Sequence, residues 1–223
     1  MKKGTKAFCC WSGGKESALS LYESKKSGLN ISYLVNMISE DGQHSRSHGI
    51  DAGHLRLQSE TMEIPIIQRR TSWQSYEDEF KKVVLDLKDR GIETGVFGDI
   101  DLQQHRDWVE RVCRETGVKP ILPLWNEERE KLLDEFIQAG FKAIVVTTQA
   151  EFLGKEWLGR EIDEQFIDDI KQLDDIDVCG EKGEYHTFVY DGPVFRKAVE
   201  FTSGEKVLKD NHWFFRINHG RNS

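Results

Sequence analysis

Ser12-Gly13-Gly14-Lys15-Glu16-Ser17 follows the apolar run Phe8-Cys9-Cys10-Trp11 and precedes Ala18-Leu19-Ser20-Leu21-Tyr22, so a strand enters a small glycine-rich turn and a helix leaves it. Such a turn can aim successive backbone N–H groups at one anion, and the first helical turn adds its own unpaired N–H groups. Ser12 and Ser17 add hydroxyl donors and Lys15 a compact positive charge, a set suited to a polyphosphate. Gly13 and Gly14 are expected to keep the backbone open to that ligand, because a side chain would block the approach. Glu16 repels phosphate unless it faces away or shares a divalent cation with it. The plainer alternative is an ordinary strand-to-helix turn capped by Ser12. The spacing is not that of a Walker A loop or of a dinucleotide fingerprint.

A second polar stretch, Asp177-Val178-Cys179-Gly180-Glu181-Lys182-Gly183-Glu184-Tyr185-His186-Thr187, ends in a strand pattern. Its carboxylates, imidazole, thiol and hydroxyl could bind a cation, orient an amine or steer a proton, while the following strand fixes the last side chains. A surface turn with a capping Glu and a hydrogen-bonded His accounts for the same residues. Cys179 reads more simply as a small buried thiol than as a nucleophile, and a zinc site built from Cys179 and His186 lacks a full ligand set. Between these stretches lies Gly98-Asp99, at the carboxyl end of a strand pattern, where open α/β sheets place their ligand crevice. Asp99 is a candidate for binding magnesium or positioning an acceptor; the competing role is to cap the next helix, for which Asp101 is better placed.

These groups need elements to hold them. Apolar runs at 6–11, 31–38, 64–68 and 94–98 alternate with helical patterns at 15–27, 49–60, 74–90 and 102–116, the rhythm of right-handed βαβ units on a parallel sheet. A further strand is expected at 118–122, where Pro120 and Pro123 argue for an edge. Beyond Trp125 come a helix at 127–139, a β-prone run at 142–148 and an acidic, helical stretch over 151–175. Strands follow at 185–190, 194–202 and 206–217, with turns at Asp191-Gly192-Pro193 and Ser203-Gly204. We divide the chain into a nucleotide-binding domain, 1–125, and a mixed α/β C-terminal portion, 126–223.

The 223 residues suffice for a sizeable core, and a net charge of −8 gives the whole chain no electrostatic preference for nucleic acid or anionic lipid. Arg46, His48, His54, Arg56, Arg69 and Arg70 form a basic cluster in sequence that suits an anionic ligand. Cys9, Cys10, Cys113 and Cys179 have neither disulfide-framework nor zinc spacing. No apolar run reaches membrane-span length and no signal peptide is legible, so a cytoplasmic protein is expected.

Ser12–Ser17 resembles the PP-loop of the ATP pyrophosphatases, which cleave ATP between the α- and β-phosphates to adenylate a substrate. Ser47-His48-Gly49-Ile50, Gly98-Asp99, Leu122-Pro123-Leu124-Trp125, Glu156-Trp157-Leu158-Gly159 and Cys179–Thr187 follow it in order. Together, from about residue 6 to 217, they resemble the diphthine–ammonia ligase family. Glu16 stands where the PP-loop's common form has Asp, and Tyr185 where the C-terminal loop commonly has Phe.

The resemblance implies a Rossmann-like parallel sheet of the PP-loop type, with ATP and Mg²⁺ as cofactors. Ser12, Gly13, Gly14, Lys15, Ser17 and His48 would bind nucleotide, and Glu16 and Asp99 metal. The catalytic set would be Lys15, Asp99, Glu181, Glu184 and His186, the last three handling ammonium or its proton. The implied partners are a carboxylate-bearing acceptor, protein or small molecule, and ammonia; the acceptor is elongation factor 2 only where the host makes diphthamide. No membrane or nucleic-acid partner is implied, and self-association stays open. Two other readings stay open: an ATP pyrophosphatase acting on a small metabolite or nucleotide, and a non-catalytic adenine-nucleotide-binding regulatory module. The products formed from ATP separate them.

Overall fold

The computed structural model describes residues 4–46 and 49–219. The first half forms five parallel strands, β1 (Lys6–Cys10), β2 (Asn30–Ile38), β3 (Ile66–Arg70), β4 (Thr94–Val96) and β5 (Lys119–Ile121), in the order β3-β2-β1-β4-β5. Between them run α1 (Lys15–Lys26), α2 (Ala52–Met62), α3 (Tyr76–Asp89) and α4 (Gln103–Thr116). From β1 the chain winds outward to β3, then crosses back to β4 and β5. The winding therefore reverses between β1 and β4, which opens a crevice at their carboxyl ends. Pro120 lies on the edge strand, where its missing N–H interrupts no ladder.

Each face of the sheet has its own core. Leu19 and Leu21 of α1 and Leu55 and Met62 of α2 pack with residues of the C-terminal half such as Val145 and Phe188. Phe80, Val83, Val84 and Leu87 of α3 pack with Val109, Val112 and Cys113 of α4 over Phe8 and Val35. Burying each large apolar side chain contributes about 1.5–3 kcal/mol. Local chemistry sets the helix ends. Asp51 accepts from the Gly53 and His54 N–H groups at 2.7 and 3.4 Å, so α2 starts at 52 rather than at 49. α4 stops at Gly117, whose φ of +67° suits glycine, while the Val118 N–H returns to the Cys113 carbonyl.

The second half contains α5 (Arg129–Gln138), β6 (Lys142–Gln149), a 3-10 turn (Lys155–Trp157), α6 (Glu164–Ile170), β7 (Tyr185–Asp191), β8 (Phe201–Lys209) and β9 (His212–His219). Its four strands form an antiparallel sheet in the order β7-β6-β9-β8. The expected helix over 151–175 shrinks to α6 and the 3-10 turn. The segment between them instead pairs with β6: Gly159 N–H donates to the Val145 carbonyl at 2.8 Å and Ile162 N–H to that of Ala143 at 2.9 Å. The turn expected at Ser203-Gly204 lies inside β8, at a register shift, and the strand expected at 194–202 begins only at Phe201. The hairpin turns at Asp210-Asn211, whose φ values of +49° and +60° are those of a two-residue turn matching strand twist. Among the described residues no helix is long and apolar enough to cross a membrane.

Candidate active site

A cavity of about 550 Å³ occupies the crevice where the winding reverses, and it brings together three separated stretches that the sequence marks for chemistry. Ser12, Lys15, Glu16 and Ser17 come from the β1–α1 turn, Gly98 and Asp99 from the end of β4, and Cys179, Gly180, Glu181, Gly183, Tyr185 and His186 from the C-terminal loop and β7. This volume falls within the usual range of small-ligand sites. Gly98 fits because a Cβ there would stand 3.1 Å from the Glu16 carbonyl carbon, so the β4 loop rests directly on the first turn of α1.

In the β1–α1 turn, Ser12 does not cap α1; the cap position is Gly14, with no side-chain hydrogen bond. Ser12 Oγ accepts from the Gly14 N–H at 3.3 Å and donates to Ser17 Oγ at 3.2 Å, and Ser17 Oγ donates to the Gly14 carbonyl at 2.9 Å. Gly13 and Gly14 are not among the lining residues. Gly13 has φ +85°, and a Cβ on it would lie 2.4 Å from Leu55 Cδ2 and 2.9 Å from Gln58 Oε1. It is glycine because α2 packs against it. Buried Gln58 pins the turn, its amide donating to the carbonyls of Gly13 (3.0 Å) and Val189 (2.6 Å) and accepting from the Trp11 indole at 2.8 Å.

Lys15 binds the two halves together. Its Nζ donates to the Cys179 carbonyl at 2.6 Å, pairs with Glu16 Oε1 at 2.6 Å and lies 4.5 Å from the centre of the Tyr185 ring. Its backbone N–H donates to Thr187 Oγ1 at 3.0 Å, and the Val189 N–H reaches the Gly13 carbonyl at 2.9 Å. Burial is the largest single effect and works against the ammonium charge, but the Glu16 carboxylate together with the Tyr185 and Cys179 groups more than offsets it and raises the Lys15 pKa. Lys15 therefore meets any ligand as a cation.

Within the C-terminal loop, Glu184 is placed differently from the ammonium-handling expectation. It is 1% exposed, lies outside the cavity lining, and accepts from the Asp177 and Lys182 N–H groups, each at 3.0 Å. Both oxygens brace the loop. Cys179 is buried, its thiol donates to the Arg129 carbonyl at 3.2 Å, and burial pushes its pKa up, which disfavours the thiolate that a nucleophile or a zinc ligand needs.

Glu181 and His186 face the cavity with Glu16 and Asp99. Burial, reinforced by the nearby Glu16 charge, raises the Glu181 pKa to about 8. Asp99 Oδ1 lies 3.3 Å from His105 Nδ1, and that hydrogen bond raises the imidazole pKa. Neither Asp99 nor Asp101 caps α4, whose cap residue is Leu102; Asp101 pairs with Arg129 instead. Among the described residues no group of three His, Cys, Asp or Glu side chains could hold a metal ion by itself. A magnesium ion brought in by a polyphosphate needs only one or two protein carboxylates. The mutual repulsion of Glu16 and Glu181 is the kind of charge such an ion relieves.

Two lining residues also keep buried polar atoms without a partner among the described residues, the acceptor Asn36 Oδ1 and the donor Arg46 Nε. Leaving such groups unmet costs about 1–3 kcal/mol each, so the cavity suits a ligand with both donors and acceptors. Met37, Tyr76, Phe80, Phe97 and Trp108 give it an apolar wall. Sequence reasoning missed Asn36, Gln58, Arg129 and this wall. Gln58 carried one signal: a polar residue three positions after Leu55 and four before Met62, on the buried face of α2.

The basic cluster disperses. Arg46 reaches the cavity, whereas Arg56 bonds to Gln68 and Arg69 lies near Glu79 and Asp86. His48 lies outside the described residues.

Comparison with known proteins gives matches to two family models, the diphthamide synthase N-terminal domain over residues 5–120 and the diphthamide synthase C-terminal domain over residues 128–222. The chain is 30% identical over 220 residues to a protein of Schizosaccharomyces pombe named diphthine–ammonia ligase, covering 88% of this chain and 36% of that one. Proteins of the same name from Mus musculus and Homo sapiens are 29% and 28% identical over 222 residues, each alignment covering 88% of this chain and 83% of the relative. This chain thus spans about a third of the yeast relative and most of the mammalian ones. Its two halves match the family's two domain models in order, and the chain belongs to the diphthamide synthase family.

Proposed function

We propose that the protein is an ATP-dependent amide ligase that adenylates an acceptor carboxylate and lets ammonia displace AMP. The observation that carries this reading is the contact of Lys15 Nζ with the Cys179 carbonyl, which puts a phosphate-type turn and the C-terminal polar loop in one cavity. The names of the relatives point the same way.

The Glu16 and Ser17 N–H groups in the first turn of α1, the Ser12 and Ser17 hydroxyls and the Lys15 ammonium hold the phosphates, while the Lys15 N–H stays on Thr187. Glu16 and Asp99 would hold magnesium, which would supply charge neutralisation to the phosphates. An acceptor carboxylate oxygen attacks the α-phosphorus, the bond to the α,β-bridging oxygen breaks, and pyrophosphate leaves with its charge met by Lys15. Ammonia then attacks the acyl carbon, the bond to the phosphate oxygen breaks, and AMP leaves. The proton lost from nitrogen goes to Glu181, whose pKa of about 8 suits a base near neutral pH. His186 lines the same cavity and orients the nucleophile. Glu184 takes no chemical part.

Diphthine on elongation factor 2 is the acceptor wherever the host makes it. Purified protein is incubated with ATP, magnesium, ammonium and diphthine-bearing elongation factor 2, and mass spectrometry follows conversion of the carboxylate to an amide alongside AMP. Amide and AMP in equal amounts are expected. AMP without amide, from this acceptor or from lysate metabolites, contradicts the ligase reading and favours a pyrophosphatase.

A further inference from the structure

Arg129 begins α5, outside every motif singled out in the sequence, and its guanidinium joins two loops from opposite halves of the chain. Nε and Nη2 donate to the two oxygens of Asp101, each at 2.8 Å, a two-pronged pair with directional geometry. Nη1 donates to Asp177 Oδ2. Asp101 stands two residues after Asp99 in the β4–α4 loop. The Asp177 side chain is 2% exposed and accepts from the Cys179 N–H at 2.9 Å and the Glu181 N–H at 3.1 Å. The Arg129 carbonyl, in turn, accepts from the Cys179 thiol.

One residue thus grips the loop that carries Asp99 and the loop that carries Glu181, and both carboxylates face the same cavity. A planar fork meets both oxygens of Asp101 with two fixed donors and keeps a third for Asp177; a lysine ammonium can reach two carboxylates but as a point charge without that fixed two-pronged geometry. Asp177 also needs the charge, because a buried carboxylate without a counter-charge is costly. Its two accepted N–H bonds hold the backbone at Cys179 and Glu181.

We propose that Arg129 is a positioning residue that fixes the Glu181 loop against the Asp99 loop and so keeps the adenylation and amide-forming groups in one geometry. The kinetic consequence rests on the ligase reading above; the structural consequence does not. Without the fork, the loop around Glu181 loosens while the β1–α1 turn, held separately by Gln58 and Thr187, stays in place.

The test uses the full-length protein with Arg129→Gln and Arg129→Lys. Hydrogen exchange reads the Cys179 and Glu181 N–H groups, and labelling of Cys113, buried in the other core, reports global opening. About tenfold or faster exchange at Cys179 and Glu181 is expected in R129Q, with Cys113 labelling unchanged and R129K intermediate. Amide-forming kcat should fall about tenfold or more while KM for ATP stays within about twofold. Exchange at both N–H groups within about twofold of the parent, or equal loss of protection at Cys113, overturns the proposal. If the parent protein forms no AMP with any acceptor, the ligase reading falls and the exchange result alone decides the role of Arg129.

Discussion

Glu184→Ala separates a carboxylate that braces the C-terminal loop from one that handles ammonium. The substitution removes both acceptors of the Asp177 and Lys182 N–H groups. Asp177 is buried, so its N–H loses its partner without water to replace it, at about 1–3 kcal/mol. Lys182 is exposed and its N–H can turn to water, which adds about 1 kcal/mol or less. The total, about 1–4 kcal/mol, lowers Tm by roughly 2–16 °C in a chain of this size. Glu184→Gln keeps one acceptor oxygen and turns an NH₂ group toward the other N–H, so it should fall between the two. Thermal unfolding at pH 7 gives the shift, and AMP formation below the variants' Tm gives the activity, which should fall in step with the loss of bracing, less in E184Q than in E184A, and persist in both. An unchanged Tm together with abolished turnover in E184Q would refute the bracing role and return Glu184 to the chemistry.

Gly13→Ala should cost about 1–2 kcal/mol for left-handed backbone and a further 1–3 kcal/mol, roughly, for pressing on Leu55 and Gln58. Denaturant unfolding measures it, and a loss below about 0.5 kcal/mol contradicts the packing argument. The folded pKa of Glu181 lies above its unfolded value, so between about pH 4.5 and 8 the native state binds more protons and stability falls as pH rises. Stability of Glu181→Gln should therefore gain on the parent across that window, and parallel pH profiles would count against the buried, charge-crowded placement of Glu181. Asp99→Asn removes the hydrogen bond that raises the His105 pKa, so the imidazole should titrate at lower pH by NMR; an unmoved titration would show that the pair does not form in solution.

The parts legible in the sequence are those in which neighbours along the chain also cooperate in space. The Ser12–Ser17 turn, the amphipathic α3 and the edge strand at Pro120 follow from spacing, from buried periodicity and from a missing donor. The Ser203-Gly204 turn failed because Asp210-Asn211 offers two residues tolerant of left-handed backbone, and pairing of Val207 and Leu208 with Phe214 and Trp213 then sets the register. Gly204 is small for another reason: a Cβ there would collide with the Arg216 carbonyl across the bulge. Glu184 looked catalytic because a carboxylate beside a histidine in a glycine-rich loop has the right types, and only the fold shows both of its oxygens spent on backbone. Gln58 acts on Gly13, 45 residues away, and Arg129 on Asp101 and Asp177, 28 and 48 residues away, and no local pattern encodes such a contact.

The central claim is that the β1–α1 turn presents ATP for cleavage between the α- and β-phosphates. ATP labelled separately at the α- and γ-phosphates, incubated with the protein, magnesium, ammonium and an acceptor that is turned over, decides it. The account predicts that the α-label leaves in AMP and the γ-label in pyrophosphate, and that Lys15→Ala abolishes both; release of ADP and inorganic phosphate, with no AMP, would contradict it.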